Sequence, residues 1–148
     1  KIRFNIGIVG KGSCFETIKS LSNSNNQKNI KIYGYMEDAI KKLNKKIDII
    51  CITSQFDGTP NVLGEAVSYK IPCLAPRDVG LSNMILLNGR GGFLYRSNSN
   101  DDFQNKLNSM LLNYDEAINR SRLAYKGLGR FDYNHTLLKL KKCISKIL

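Results

Sequence analysis

Short apolar runs alternate along the chain with stretches in which apolar residues recur every three or four positions, the two periods that separate strands from helices. The run Phe4 to Val9 predicts a strand, Gly10, Lys11 and Gly12 a turn, and Cys14 to Leu21 a helix. A polar loop, Asn23 to Asn29, leads into a second strand, Ile30 to Tyr35. A second helix, Glu37 to Leu43, follows with Ala39, Ile40 and Leu43 on one side. Ile47 to Thr53 is apolar nearly throughout, as expected of a central parallel strand covered on both faces. A helix from Asn61 to Tyr69, a fourth strand from Ile71 to Ala75, a short helix from Ser82 to Leu87 and a fifth strand from Gly92 to Tyr95 continue the rhythm. Helices then close the chain, from Asp101 to Leu112, Asp115 to Tyr125 and Thr136 to Ile147. The pattern predicts an α/β fold with a Rossmann-like open parallel sheet flanked by helices. In such sheets ligands bind beyond the carboxyl ends of the strands. Those ends carry the Gly10 to Ser13 turn, the Tyr35 to Asp38 turn, the Ser54 to Asn61 loop and the Pro76 to Ser82 loop.

The third of these loops carries the most chemistry. Gly58 and Thr59 are loop formers, Thr59 is a suitable N-cap, and Pro60 suits a first helical position, where its missing donor costs nothing. The N–H groups of Asn61, Val62 and Leu63 would then point out of the helix end, where the macrodipole favours an anion such as a phosphate. Asp57 and Glu65 bracket that anion site with two carboxylates. The same residues also describe a well-capped helix after a buried strand and nothing more. The glycine turn after the first strand is a weaker signal. Its dinucleotide fingerprint fails because Phe15 stands where a third glycine would pack, and no acidic residue ends the second strand to hold a ribose.

Composition narrows the classes. The 148 residues make one ordinary domain able to bury a core without disulfides or metal, and 42% hydrophobic residues with no run near 18 excludes a spanning segment. The chain starts at Lys1 with no signal-peptide pattern, which suggests a piece of a longer protein. Cys14, Cys51, Cys73 and Cys143 are scattered and there is a single histidine, so neither a zinc site nor a disulfide framework is indicated. Reduced thiols of a cytoplasmic protein are the expectation, with Cys51 and Cys73 in the core and His135 in a surface or capping role. The net charge of +11 invites a nucleic-acid reading, but the lysines are dispersed over helix faces without interleaved aromatics, so no nucleic-acid partner is expected. The last helix combines Leu137, Leu138, Leu140, Ile144 and Ile147 with four lysines. That composition suits peripheral contact with anionic lipid at the inner face of a membrane.

The run DGTPNVLGEAVSYKIPCLAPRDVG from Asp57, followed by NGRGGFLY from Asn88, resembles the donor-binding domain of the family 4 retaining glycosyltransferases. Their pattern reads roughly EGxPNVLxEAMAxGxPVxATDVGG and then DGxxGxLV. The likeness extends to the glycine turn, the strand and turn around Ile32 to Met36, and the long last helix. It implies that residues 1–148 form the single C-terminal, donor-binding domain of a two-domain GT-B enzyme whose N-terminal acceptor domain lies outside this chain. It further implies that Asp57 meets donor-sugar hydroxyls and Glu65 the ribose, as the pair nearest catalysis. Gly58, Thr59, Pro60, Asn61, Val62 and Leu63 would hold the donor diphosphate, and Gly34, Tyr35 and Met36 would lie against the base. Carboxylates accept paired hydroxyl hydrogen bonds, and a helix end stabilises the charge growing on a leaving diphosphate. No metal or other cofactor is implied, since the nucleotide-diphosphate sugar is a substrate. The acceptor, a glycan or lipid-linked glycan, would bind through the other domain.

Four positions depart from the pattern. Asp57 is one carbon shorter than the usual glutamate, Lys70 replaces the glycine that ends the helix, and Leu81 and Met84 stand where Gly and Glu are frequent. A side chain in a left-handed cap at Lys70 would cost about 1 kcal/mol. The basic pair that grips the diphosphate in the family is expected before Lys1. Two other readings remain open on sequence: a nucleotide or sugar-phosphate binding module without transfer activity, and a basic nucleic-acid-binding α/β domain.

Overall fold

The computed structural model describes residues 3–24, 29–58 and 60–145. Its contacts divide the chain into two compact units, Lys1–Leu43 and Asn44–Leu148. In the first, β1 (Ile6–Val9) pairs in parallel with β2 (Ile30–Gly34), joined by α1 (Phe15–Ser24), and α2 (Ala39–Leu43) follows. A register shift between Ile8 and Val9 skips Tyr33 and sets Val9 opposite Gly34, and the Gly10 N–H donates to the Gly34 carbonyl at 2.8 Å. The glycine turn is thereby tied to the turn after β2. α2 starts two residues later than its pattern suggested because Asp38 sits in the left-handed region at φ 52°. On α2, Ile40 is buried and Ala39 and Leu43 are half-buried, as the expected apolar side requires.

The second unit holds a three-stranded parallel sheet in the order β3-β4-β5, formed by Ile50–Cys51, Cys73–Pro76 and Phe93–Tyr95. Between these strands run α3 (Asn61–Ser68) and α4 (Ser82–Ile85). They are followed by α5 (Asn100–Leu112), α6 (Tyr114–Gly127) and α7 (Tyr133–Ile144). The five expected strands are all present and parallel, β1 with β2 in the first unit and β3, β4 and β5 in the second. The expected central strand is shorter than its apolar run: β3 is an edge strand with one hydrogen-bonded neighbour. Cys51, anticipated in the core, is exposed. An apolar run reports affinity for burial and not how many strands find it. Cys73, on the fully buried β4, does lie in the core, and burial pushes its thiol well above the ordinary range.

Leu74, Phe93, Tyr95, Met110 and Ala117 form the core where α5 and α6 meet β4 and β5. α3 contributes Leu63, Ala66 and Val67, none of them accessible to solvent. Near Leu86, Gly92 has no room for a side chain, because a Cβ there would meet the Leu86 side chain at 2.8 Å and the Cys73 carbonyl at 3.0 Å. Lys70 keeps the left-handed conformation at φ 58° that glycine usually fills. The cap is held from outside: the Ser121 hydroxyl donates to the Lys70 carbonyl at 2.8 Å, and the Lys70 ammonium stands 4.6 Å from the centre of the Tyr125 ring. The last helix begins at Tyr133, earlier than the apolar periodicity indicated. The side chain of His135, and residues 146–148 including Ile147, lie outside the described residues.

Candidate functional site

The loop leaving β3 runs to Pro60, where α3 begins. Asp57 and Gly58 are exposed, Pro60 is fully buried, and Thr59 lies outside the described residues. Pro60 is the N-cap residue and Asn61 the first helical one, a shift of one position from the sequence reading. The reason is geometric. Pro60 has ψ 88°, outside the helical range, while its carbonyl accepts from the N–H of Leu63 at 2.9 Å and of Gly64 at 3.3 Å. The Leu63 N–H, expected to be free, is therefore engaged, and its side chain is buried. The N–H groups of Asn61 and Val62 have no hydrogen-bond partner among the described residues, and both residues are exposed. Two donors, rather than three, face outward at the helix end.

Glu65 is exposed one turn further along α3, four residues after Asn61 and so on the same face. The carboxylates of Asp57 and Glu65 make no hydrogen bond or ion pair among the described residues. Both acceptors are open to a ligand. A second loop supports the first from below. Gly80 adopts φ +51°, and a Cβ there would stand 2.6 Å from each of the carbonyl oxygens of Asp57 and Gly58. Val79 beside it is buried, and so is Ser82 at the start of α4, whose hydroxyl has no partner among the described residues. The position of Asp57 is thus set by backbone contact with a glycine, a dependence that only a long-range neighbour could create.

The model of the glycosyl transferases group 1 matches residues 1–128. The chain belongs to that family. It is 29% identical over 112 residues to the lipopolysaccharide 1,6-galactosyltransferase of Salmonella typhimurium, a match covering 73% of this chain and 31% of the relative. An uncharacterized glycosyltransferase of Methanocaldococcus jannaschii is 26% identical over 113 residues, covering 76% and 32% respectively. The chain therefore spans about a third of the length of the curated relatives it matches. Among solved structures, the apo form of the lipopolysaccharide outer core galactosyltransferase WaaB superposes with a TM-score of 0.67 at 25% identity, over 85% of this chain and 39% of that one. An Anabaena protein solved with UDP and glucose, HepE, gives 0.77 at 19% identity over 96% and 40%, a likeness of fold. The α/β class expected from the sequence holds.

In this group 1 glycosyltransferase chain the remaining expected site residues lie in the first unit. Gly34 is left-handed at φ 69°, Tyr35 is 76% exposed and Met36 is half-buried. The exposed Tyr35 ring is free to stack, and Gly34 turns the chain to present it. No group of three or more His, Cys, Asp or Glu residues able to hold a metal ion occurs among the described residues, and none of the described helices is long and apolar enough to cross a membrane. Sequence reasoning missed Gly80 and Arg120. Arg120 is held by Glu116 at 2.9 Å, donates to the Gly89 and Gly92 carbonyls at 2.8 and 3.3 Å, and lies 4.3 Å above the Phe93 ring. It pins the turn before β5 onto α6. Gly80 had a signal in the DVG of the motif, and Glu116 pairs with Arg120 at i,i+4 spacing, whereas nothing near Arg120 in the chain announces Gly89, Gly92 or Phe93.

Proposed function

We propose that this chain is the donor-binding part of a family 4 retaining glycosyltransferase, holding a nucleotide-diphosphate sugar for transfer to a glycan or lipid-linked acceptor. The observation that carries the reading is the start of α3. The N–H groups of Asn61 and Val62 and the carboxylates of Asp57 and Glu65, none of which has a partner among the described residues, lie together there. A diphosphate at the helix end would receive both N–H bonds and the positive end of the helix dipole, and the stabilisation would grow as the leaving group gains charge. Asp57 and Glu65 would accept hydrogen bonds from sugar and ribose hydroxyls, which fixes the donor without placing a carboxylate against a phosphate. Tyr35, with Gly34 and Met36, would stack on the base. The Salmonella relative named for galactosyl transfer, and the Anabaena neighbour solved with UDP and glucose, support a sugar nucleotide as the ligand. Transfer itself would need an acceptor aligned with the anomeric carbon by a second domain, as GT-B enzymes are built. Contact with anionic membrane would come through α7, where Leu138, Leu140 and Ile144 are exposed among lysines.

The test is titration of the chain with UDP, GDP and ADP, followed through backbone amide shifts. One nucleotide should move the amides of Asn61 and Val62 at millimolar concentration. Unchanged amides there with all three would overturn the proposal.

A further inference from the structure

We propose that the cleft at the carboxyl ends of β3, β4 and β5 is a subsite for a single neutral sugar ring, separate from the helix end that would hold the donor diphosphate. The cleft is open on one side with a volume of about 240 Å3, below the roughly 300–1,000 Å3 of drug-sized pockets, which suits one small ring. Its wall is aromatic: Tyr95 and Phe103 meet edge to face with centroids 5.1 Å apart, and the Tyr95 hydroxyl is fixed by donating to the Ile52 carbonyl at 3.0 Å. Around that wall stand Ser54 and Gln55 from the loop leaving β3, and Ser97 and Asn100 from the turn into α5. None of the lining residues is charged. The Ser97 hydroxyl oxygen is buried without a hydrogen-bond partner among the described residues, a group left waiting for a donor or an acceptor.

These features select the ligand class. The side-chain amides of Gln55 and Asn100 each offer a donor beside an acceptor, the pairing that neighbouring ring hydroxyls require, while the C–H face of a pyranose can lie on the half-buried Phe103 ring, which the buried Tyr95 backs. An anion is disfavoured. The N-terminus of α5 is already capped by the Ser99 hydroxyl, which accepts from the Asp102 N–H at 3.2 Å, and its first turn carries the carboxylates of Asp101 and Asp102. A purely apolar ligand would strand the amides and hydroxyls of the rim. The cleft shares its β3 loop with Asp57, two residues beyond Gln55. Its separation from the donor diphosphate rests on the donor reading, whereas the sugar cleft does not.

The experiment is amide-shift titration of the 148-residue chain with the methyl glycosides of galactose, glucose, mannose and N-acetylglucosamine, and separately with inorganic phosphate and with UDP. At least one glycoside should shift Gln55, Ser97 and Asn100 and leave Asn61 unmoved, and Ser97→Ala should bind it several-fold more weakly while remaining folded. The proposal is overturned if no glycoside moves the cleft amides, if phosphate alone moves them, or if Ser97→Ala binds as tightly as the parent. Failure of the donor reading looks different, because it is the absence of a UDP response at Asn61.

Discussion

Gly80 decides where Asp57 stands, since the space a side chain would take is filled by the carbonyl oxygens of Asp57 and Gly58. Gly80→Ala would meet both at 2.6 Å in a left-handed conformation, so the loop would have to move. We expect a loss of more than about 2 kcal/mol in urea unfolding, with shifted amides at Asp57 and Gly58 and weakened nucleotide response at Asn61. A variant as stable as the parent would show that the two loops do not depend on each other. Lys70 shows the opposite solution to the same backbone requirement. A non-glycine residue occupies the left-handed cap, and Ser121 and Tyr125 from α6 offset its cost. The substitution was visible in the sequence as a departure, but its compensation comes from residues some fifty positions away.

At the scale of elements, helix ends carry most of the information. α3, with eight residues, is too short to be stable alone and owes its place to burying Leu63, Ala66 and Val67. That burial is what turns Asn61, Val62 and Glu65 outward. α5 is capped at both levels: Ser99 accepts from the Asp102 N–H, and the Asp102 carboxylate accepts from the Arg96 N–H at 2.7 Å. The Arg96 N–H first, and then the charges of Arg96, Lys106 and Arg77, hold the Asp102 carboxyl below its usual range. A lowered carboxyl contributes stability above its unfolded pKa and loses it as pH falls through the folded one. Asp102→Asn should therefore be less stable than the parent at neutral pH, with the gap closing once the pH drops below the ordinary aspartate range. Denaturant midpoints of both proteins across acid pH check this, and a gap that persists in strong acid would contradict it. Both the Asp101–Asp102 start and the strand–loop–helix at Asp57 were legible in the chain, since capping depends on neighbours in sequence. The cap at Pro60 was misplaced by one residue because its ψ angle is set by packing, which a local pattern does not contain.

At the scale of the whole molecule, the two units differ in how much they bury. In Lys1–Leu43, Ile40 is the only fully buried residue among those described, and Phe4, Ile6 and Val9 around β1 are exposed. In Asn44–Leu148, every residue of β4 and β5 is buried. Native-state hydrogen exchange should therefore open β1 and β2 at markedly lower free energy than β4 and β5, and equal protection in the two sheets would contradict this. The sequence by itself determined the order and type of the elements, the α/β class, the family likeness and the helix start that presents Asn61 beside Asp57 and Glu65. Hydrophobic period, turn residues and capping act over a few positions, so a linear pattern carries them. Only the tertiary structure decided that β3 is two residues long, that Cys51 is exposed and that Gly80 props the Asp57 loop. It also decided that Arg120 locks the turn before β5, and that a cleft with an unpartnered Ser97 hydroxyl opens beside the site. Each of these depends on residues far apart in the chain, whose approach is settled by packing and hydrogen-bond satisfaction across the fold rather than by any local preference.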